Sequence, residues 1–230
     1  MAAIKTTPAA WDPGLAPESP ALAWPNGAQV AVWLAPQLQY ALAGGGAADD
    51  YGHRAGWWRL MDLLDKLGLR ATVFVDARDA QRGADILQAC VERQWELGAC
   101  VDETDASGDS LQPQELALAC ETLRALSGQS LAGWRAGAGP LDEASLEQLA
   151  GAGLSYATNI HCIDHPRQLS LRAGPLVEIP LCDAASDQRC LVEHGLTAAR
   201  YVRLIADQFE QLHMEGATRP TVLGRRCIPR

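Results

Sequence analysis

The chain has 230 residues, of which 48% are hydrophobic and 20% are charged, and its formal net charge at pH 7 is −9. The composition is that of an ordinary globular protein, and the length suits one α/β domain or barrel better than two domains. The negative charge argues against nucleic acid and against an anionic membrane as partners.

The seven cysteines are odd in number, which favours free thiols over a disulfide framework. No Cys-x-x-Cys occurs, so the usual redox motif and ligand-spaced zinc pairs are excluded. The first residues, MAAIKTTPAAW, lack the apolar core of a signal peptide, and no apolar run reaches membrane-spanning length. We therefore expect a soluble cytoplasmic protein.

Residues 1–28 are rich in proline and show no periodicity. This pattern predicts an extended N-terminal arm that packs on the rest of the chain, with Trp11 and Trp24 as anchors. Residues 29–230 are predicted to form a single domain.

Strands and helices alternate along that domain. The predicted strands lie at about residues 29–34, 69–75, 96–101, 131–137, 154–160, 174–181 and 221–227. The predicted helices cover about residues 54–68, 84–94, 113–128, 141–153 and 197–216, with stop signals at Gly68 and Gly128 and a Thr197 N-cap. Such alternation indicates a parallel sheet, and six or seven βα units come close to a barrel.

Five phrases, in the same order, resemble the polysaccharide deacetylase (NodB-homology) superfamily. They are similar to its branch of metal-independent allantoinases and cyclic imide hydrolases. The phrases are DYGHRAGWWRLMDLLDKLGLRATVFV, VERQWELGA, LAGWRAGAGPLDEASLEQLAGAGLSYATN, LRAGPLVEIPLCDAASD and YVRLIADQFEQLHMEGA, which together span roughly residues 24–224.

The resemblance implies an α/β fold, a distorted (β/α) barrel of about seven parallel strands, and hydrolysis of non-peptide carbon–nitrogen bonds. It also implies an acidic base after the first strand and histidines after the third and last strands, which in many members hold a divalent metal with an aspartate.

This sequence departs from the family at each of those places. Gln37 and Gln39 stand where acids are expected, and an amide cannot take up a proton. Cys100 and Val101 replace the His-Gly after the third strand, and no histidine follows before His161. The last strand reads LGRRCIPR in place of Leu-His-Pro. We therefore expect a catalytically degenerate protein with no metal and no cofactor.

Two features near Cys100 have a functional and a structural interpretation. A nucleophilic Cys100 needs a base or a positive field, whereas its sequence neighbours are acidic, which favours an unreactive thiol. Asp102, Glu103 and Asp105 could bind a hard cation, but a solvated acidic loop is the simpler interpretation.

The histidines also allow two interpretations. His161, Asp164 and His165 have metal-like spacing, yet they match a family loop that holds no ligand histidine, so a surface loop is favoured. His53 is a weak candidate for a catalytic base beside the pocket. His194 and His213 are expected in a loop and on a helix surface.

Arginines are the better binding candidates. Arg135 follows a strand end, where ligands bind in α/β folds, and its guanidinium could hold a carboxylate or ureide oxygen. Arg54 belongs to the retained YG-R-G phrase. The alternative for both is an internal ion pair with Glu178 or Asp187. Tyr51, Trp134 and Asp102 complete the predicted pocket, together with Gln37, Gln39 and Cys100.

The leading hypothesis is a pseudoenzyme that keeps the barrel and binds a small molecule or a functional paralogue. The alternative is an active metal-independent hydrolase of a cyclic amide, ureide or N-acetyl substrate, with His53 or the DETD loop as base. Because the chain stops soon after its last strand, a bare flank is expected, which favours a homodimer.

Overall fold

The computed structural model describes residues 23–40, 51–101, 111–137, 141–158, 164–181 and 183–229. Its strands are β1 (Val30–Leu38), β2 (Thr72–Val75), β3 (Glu96–Cys100), β4 (Gly133–Arg135), β5 (Tyr156–Thr158), β6 (Arg167–Ser170), β7 (Pro175–Ile179) and β8 (Thr221–Cys227). Its helices are α1 (Trp57–Leu67), α2 (Ala84–Glu92), α3 (Pro113–Ser127), α4 (Glu143–Gly151) and α5 (Ala198–Glu215). None of these five helices combines the length and the apolar character needed to cross a bilayer.

The strands form one curled sheet in the order β6-β7-β5-β4-β3-β2-β1-β8. All neighbouring pairs are parallel except β6 and β7, which are antiparallel. The seven strands other than β6 therefore run in one direction, which confirms the predicted α/β barrel of about seven parallel strands.

The sequence prediction missed β6. Buried and exposed side chains hardly alternate along its four residues, since only Leu169 is buried. The strand is stabilised by pairing with β7, through the Leu169–Leu176 and Arg167–Glu178 pairs. The prediction also ended β1 at Leu34, whereas the strand continues to Leu38. The ladder between β1 and β2 begins only at Gln37, so the missing N–H of Pro36 leaves no gap in that ladder.

The helix ends follow the predicted signals. Gly68 ends α1 with φ 64° and Gly128 ends α3 with φ 67°, a left-handed conformation that glycine adopts without strain. The Thr197 side chain accepts a hydrogen bond from the Arg200 backbone N–H at 3.4 Å and so caps α5.

Successive side chains along each strand point to opposite faces of the sheet, an outer face and an inner face. The outer face packs against the helices in the main core, and among its buried residues are Leu38, Val73, Val75, Leu97, Ala99, Trp134 and Ala157. The inner face has its own smaller cluster of Ala35, Phe74, Cys100 and Leu181, with Trp33 and Tyr156 against it. Side chains thus fill the interior of the barrel, which is a packed core and not a pore.

Aromatic rings form the floor of that interior at the amino ends of the strands. Trp33 makes edge contacts with Phe74 and Tyr156, with 5.9 Å between ring centroids in each pair. A Cβ on Gly133 would lie 2.1 Å from Cζ of Tyr156, so this glycine makes room for the ring. Trp33 donates to the hydroxyl of Thr72 at 3.0 Å, and Thr72 and Tyr156 both donate to Glu96, at 2.8 and 2.9 Å.

β8 lies close to the segments on either side of β6 and β7, which brings the two ends of the sheet together. The Val222 N–H donates to the carbonyl of Asp164 at 2.8 Å. A Cβ on Gly224 would lie 2.4 Å from the carbonyl oxygen of Pro180, so only glycine allows this approach.

Part of the predicted arm lies within the described residues. The indole N–H of Trp24 donates to the carbonyl of Thr221 at 3.0 Å, at the start of β8. Residues 1–22, including Trp11, lie outside the described part of the chain.

Candidate functional site

Three buried polar side chains lie side by side on the inner face, at the carboxyl ends of neighbouring strands. Cys100 of β3 is in register with Arg135 of β4, and Arg135 is in register with Thr158 of β5. Their exposed fractions are 3%, 0% and 0%. The strand ends therefore supply a row of polar groups where α/β barrels place their ligands.

Gln37 joins this row from β1. It is 2% exposed, and its side-chain amide donates to the sulfur of Cys100, with 3.7 Å between Nε2 and Sγ. Its Oε1 has no hydrogen-bond partner among the described residues, and neither has the buried hydroxyl of Thr158. A buried polar atom without a partner costs free energy, and a polar group bound at this end of the barrel would supply such a partner.

The described residues do not fit the divalent metal that the family implies. Gln37 offers a weak amide ligand, Cys100 is a buried thiol that already accepts the Gln37 hydrogen bond, and Val101 offers no ligand atom. Within the described ranges, no group of three His, Cys, Asp or Glu side chains lies close enough to hold a metal ion.

Two arginines lie on the inner face. Arg135 belongs to the row already described, and Arg226 of β8 is in register with inward-facing Ala35 of β1 and is 5% exposed. Arg225 lies on the outer face, where it donates to the carbonyl of Ala185 at 3.1 Å and to the side chain of Gln208. The inner face thus carries two buried guanidinium groups at the carboxyl ends of its strands.

Sequence reasoning missed three residues of this region: Asp76, Thr158 and Arg226. Asp76 directly follows β2, is 7% exposed, and binds the Arg78 guanidinium through both oxygens, at 2.9 and 2.6 Å. The run TVFVDARD, a buried strand followed by an acid, is a signal that could have located it. Thr158 and Arg226 carry no such signal, because only the strand register places them on the inner face.

His53, the weak candidate for a base, lies at the rim of the barrel. Its ring stacks on Tyr40, two residues past β1, with 3.8 Å between centroids. The guanidinium carbon of Arg82 lies 4.2 Å from the centroid of the same Tyr40 ring. Arg54, the next residue, is exposed.

The other predicted pocket residues are dispersed. Gln39 follows β1 and is half-buried, and Tyr51 is exposed with its hydroxyl bonded by Arg59. Trp134 is buried on the outer face, opposite Arg135, and packs in the main core. Asp102 lies outside the described residues.

The acidic and histidine segments are only partly described. Residues 102–110 and His161 lie outside the described residues. His165 lies 3.1 Å from the Arg219 guanidinium, and burial together with that charge lowers the pKa of its ring. His194 is exposed beyond a helical turn, and His213 is exposed on α5. These positions agree with the loop and helix-surface interpretations.

One internal ion pair joins the neighbouring strands β6 and β7. Arg167 of β6 donates to Glu178 of β7 at 2.7 Å, and the two side chains are 12% and 1% exposed. Asp187 accepts hydrogen bonds from the backbone N–H groups of Gln188 and Ile228, at 2.7 and 2.9 Å.

Comparisons with known proteins agree with this architecture. Residues 49–157, slightly less than half of the chain, match the family model of polysaccharide deacetylase. A comparison with curated protein sequences gives no match.

Solved structures share the fold over nearly the whole chain. The PuuE allantoinase superposes with a TM-score of 0.75 at 21% identity, over 92% of this chain and 80% of that one. A protein of Pseudomonas aeruginosa PAO1 assigned to the polysaccharide deacetylases gives 0.75 at 22% identity, over 92% and 81% of the two chains. A further such protein, from Mycobacterium smegmatis, gives 0.73 at 20% identity, over 91% and 79%. The family match and the shared fold confirm the resemblance seen in the sequence: residues 49–157 are similar to the polysaccharide deacetylases, and the chain has the (β/α) barrel fold of these structures.

Proposed function

We propose that this barrel binds a small polar molecule at the carboxyl ends of its strands and does not hydrolyse it. The observation that carries the proposal is the pair of buried atoms without partners, Oε1 of Gln37 and Oγ1 of Thr158. A ligand with an N–H or O–H donor would satisfy Gln37, and its oxygen atoms would suit the buried guanidinium of Arg135.

The loss of hydrolysis follows from the residues that occupy the catalytic positions. An amide at position 37 cannot accept a proton from water, and a general base typically contributes about 10²–10⁴ in rate. The Cys100 thiol accepts a hydrogen bond from the Gln37 amide, which cannot act as the base that a nucleophilic thiol needs.

Calorimetry and hydrolysis assays on the full chain test this proposal. The probes are N-acetylglucosamine oligomers, allantoin and succinimide. We expect at least one probe to bind the wild-type protein, and no release of acetate, allantoate or succinamate above buffer. Gln37→Leu and Thr158→Val should weaken binding about tenfold each, because each removes a buried hydrogen bond to the ligand.

Matched controls are Gln211→Leu and Thr218→Val, which replace the same side chains on the exposed surface. Equal binding by Gln37→Leu and wild type would overturn the proposed site. Turnover of a probe by the wild-type protein would overturn the proposal that the protein does not hydrolyse its ligand.

The position of His53 favours a second candidate, an active metal-independent hydrolase. Its stacking on Tyr40 holds the imidazole beside the end of β1, close to where the family places its base. The likeness in fold to the PuuE allantoinase supports a cyclic ureide as substrate of such an enzyme. Turnover of allantoin that disappears in His53→Ala and persists in His213→Ala would establish this alternative.

Association with a second copy or with a paralogue is a further proposal. α5 exposes the apolar side chains of Val202, Phe209 and Met214, by 64%, 38% and 64%. Light scattering of the full chain at micromolar concentration tests it, and a monomer would exclude the homodimer.

A further inference from the structure

A cleft of about 300 Å³ lies on the outer side of the barrel, beside the carboxyl end of β8. This volume is at the lower end of the range for small-molecule sites, about 300–1,000 Å³. Its walls are formed by Tyr51, Gly56, Arg59, Leu60, Asp187, Cys227 and Pro229. Cys227 is in register with Pro36 of β1, so the cleft lies at the same end of the barrel as the inner row but on its outer face.

Two short π-helical turns border this cleft. One, Gly52–Gly56, leads directly into α1, and Asp187 caps the other, Gln188–Glu193. π-helical turns are rare in proteins, and those that occur are often found at functional sites. Here they bring Tyr51 and Gly56 to one side of the cleft and Asp187 to the other.

Arg59 is the cationic group of the cleft. Its side chain is exposed, donates a hydrogen bond to the Tyr51 hydroxyl, and has its guanidinium carbon 5.5 Å from the centroid of the Tyr51 ring. The guanidinium therefore lies against the Tyr51 side chain, and no carboxylate of the described residues pairs with it. In a protein of net charge −9, an arginine that pairs with no carboxylate of the described residues is available to an anionic ligand.

The other polar groups of the cleft have structural roles. Both oxygens of Asp187 accept backbone hydrogen bonds, from Gln188 and Ile228. Burial raises the pKa of the Cys227 thiol to about 12, so the thiol is neutral at physiological pH. Leu60 and Pro229 provide an apolar wall.

We propose that this cleft binds a small monocarboxylate with a short apolar chain. The guanidinium fork of Arg59 matches the two oxygens of a carboxylate, and the Tyr51 hydroxyl lies beside it. The apolar chain would lie against Leu60 and Pro229. One arginine neutralises one negative charge, and Asp187 across the cleft disfavours a dianion such as a phosphate monoester.

Calorimetric titration of the full chain with hexanoate, and with hexanamide as the uncharged counterpart, tests the proposal. We expect hexanoate to bind with a millimolar or lower Kd and hexanamide to bind at least about tenfold more weakly, because the amide lacks the charge that Arg59 recognises. Arg59→Gln should weaken hexanoate binding about tenfold or more, and Tyr51→Phe should weaken it by a smaller factor.

Arg203→Gln is the matched control, since Arg203 is an exposed arginine on α5, outside the lining of the cleft. It should leave hexanoate binding unchanged, and thermal melting should show that every variant is folded. Equal affinities for hexanoate and hexanamide, an unchanged affinity in Arg59→Gln, or the absence of hexanoate binding would each overturn the proposal. Gln37→Leu should not alter hexanoate binding, so this site and the inner one are tested separately.

Discussion

Gln37 and Cys100 touch each other across the inner face, with 3.7 Å between Nε2 and Sγ, although β2 separates their strands in the sheet. By resemblance, Gln37 is one of two glutamines that stand where acids are expected, and Cys100 stands where the family has the histidine of its His-Gly motif. The two residues that depart from the family pattern thus contact each other. Their present residues suit each other because an amide N–H can donate to a sulfur atom, whereas a carboxylate cannot.

We expect Gln37→Leu to change the free energy of unfolding by less than about 1 kcal/mol. It removes a weak N–H···S hydrogen bond, but it also removes a buried acceptor without a partner, and these effects oppose each other. Urea unfolding followed by tryptophan fluorescence measures the change. A loss of about 3 kcal/mol or more would mean that Oε1 is satisfied in the folded protein in solution.

Gly133→Ala should destabilise the fold by about 1–3 kcal/mol, because its Cβ would lie 2.1 Å from Cζ of the buried Tyr156 ring. The same measurement on Gly151→Ala serves as the control. There the added Cβ would lie 3.7 Å from Ala173, an ordinary contact, and alanine favours the helix by up to about 1 kcal/mol. Equal effects of the two substitutions would contradict the tight packing of the barrel floor.

Arg167→Met should cost about 3–5 kcal/mol, because it removes the cation bound to the buried carboxylate of Glu178. The double variant Arg167→Met/Glu178→Leu should recover most of that loss, since it also removes the buried carboxylate that the single variant deprives of Arg167. Arg203→Met, which breaks the exposed pair with Asp207, should cost less than about 1 kcal/mol. Denaturant unfolding of the wild type and the three variants measures these free energies. A double variant no more stable than Arg167→Met would refute this interpretation.

Alkaline pH should destabilise the protein through two buried thiols. Burial raises the pKa values of Cys90 and Cys227 from 9.0 to about 12. Above pH 9 the unfolded chain therefore releases these protons while the folded protein retains them, so stability falls as pH rises towards 12. The slope is up to about 1.4 kcal/mol per pH unit for each thiol.

Urea unfolding at pH 8 and pH 10.5 measures this fall. The loss of stability between the two pH values should be smaller in a Cys90→Ala/Cys227→Ala variant. Burial also raises the pKa of Tyr201 to about 12, so Tyr201 contributes to the loss in both proteins. An identical fall in the wild type and in the variant would exclude the thiols as its cause.

Much of the fold could be predicted from local patterns. Glycines in left-handed conformations end α1 and α3 at the predicted positions, and the long apolar runs became β2 and β3. β6 was missed because four residues with one buried side chain carry almost no periodicity, and pairing with β7 decides its conformation.

The site could be predicted only in part. Resemblance to the family identified positions 37, 100 and 135, and the structure places all three on the inner face. Thr158 and Arg226 were not identified, because inward orientation depends on strand register, which pairs residues far apart in sequence. Trp134 was included as the neighbour of Arg135, yet successive residues of a strand point to opposite faces.

The junction between β8 and the segments before β6 and after β7 should open more readily than the rest of the barrel wall. Within the described ranges, no strand ladder joins the two ends of the sheet, which meet through the Val222–Asp164 hydrogen bond and through Gly224 packed on Pro180. Opening the wall there disrupts separate hydrogen bonds, among them those of Val222 with Asp164 and Arg225 with Ala185, and packing contacts, whereas opening it elsewhere breaks a ladder. Local opening of the barrel should therefore occur mainly at this junction. Amide hydrogen exchange at Val222 should be faster than at the centre of β3.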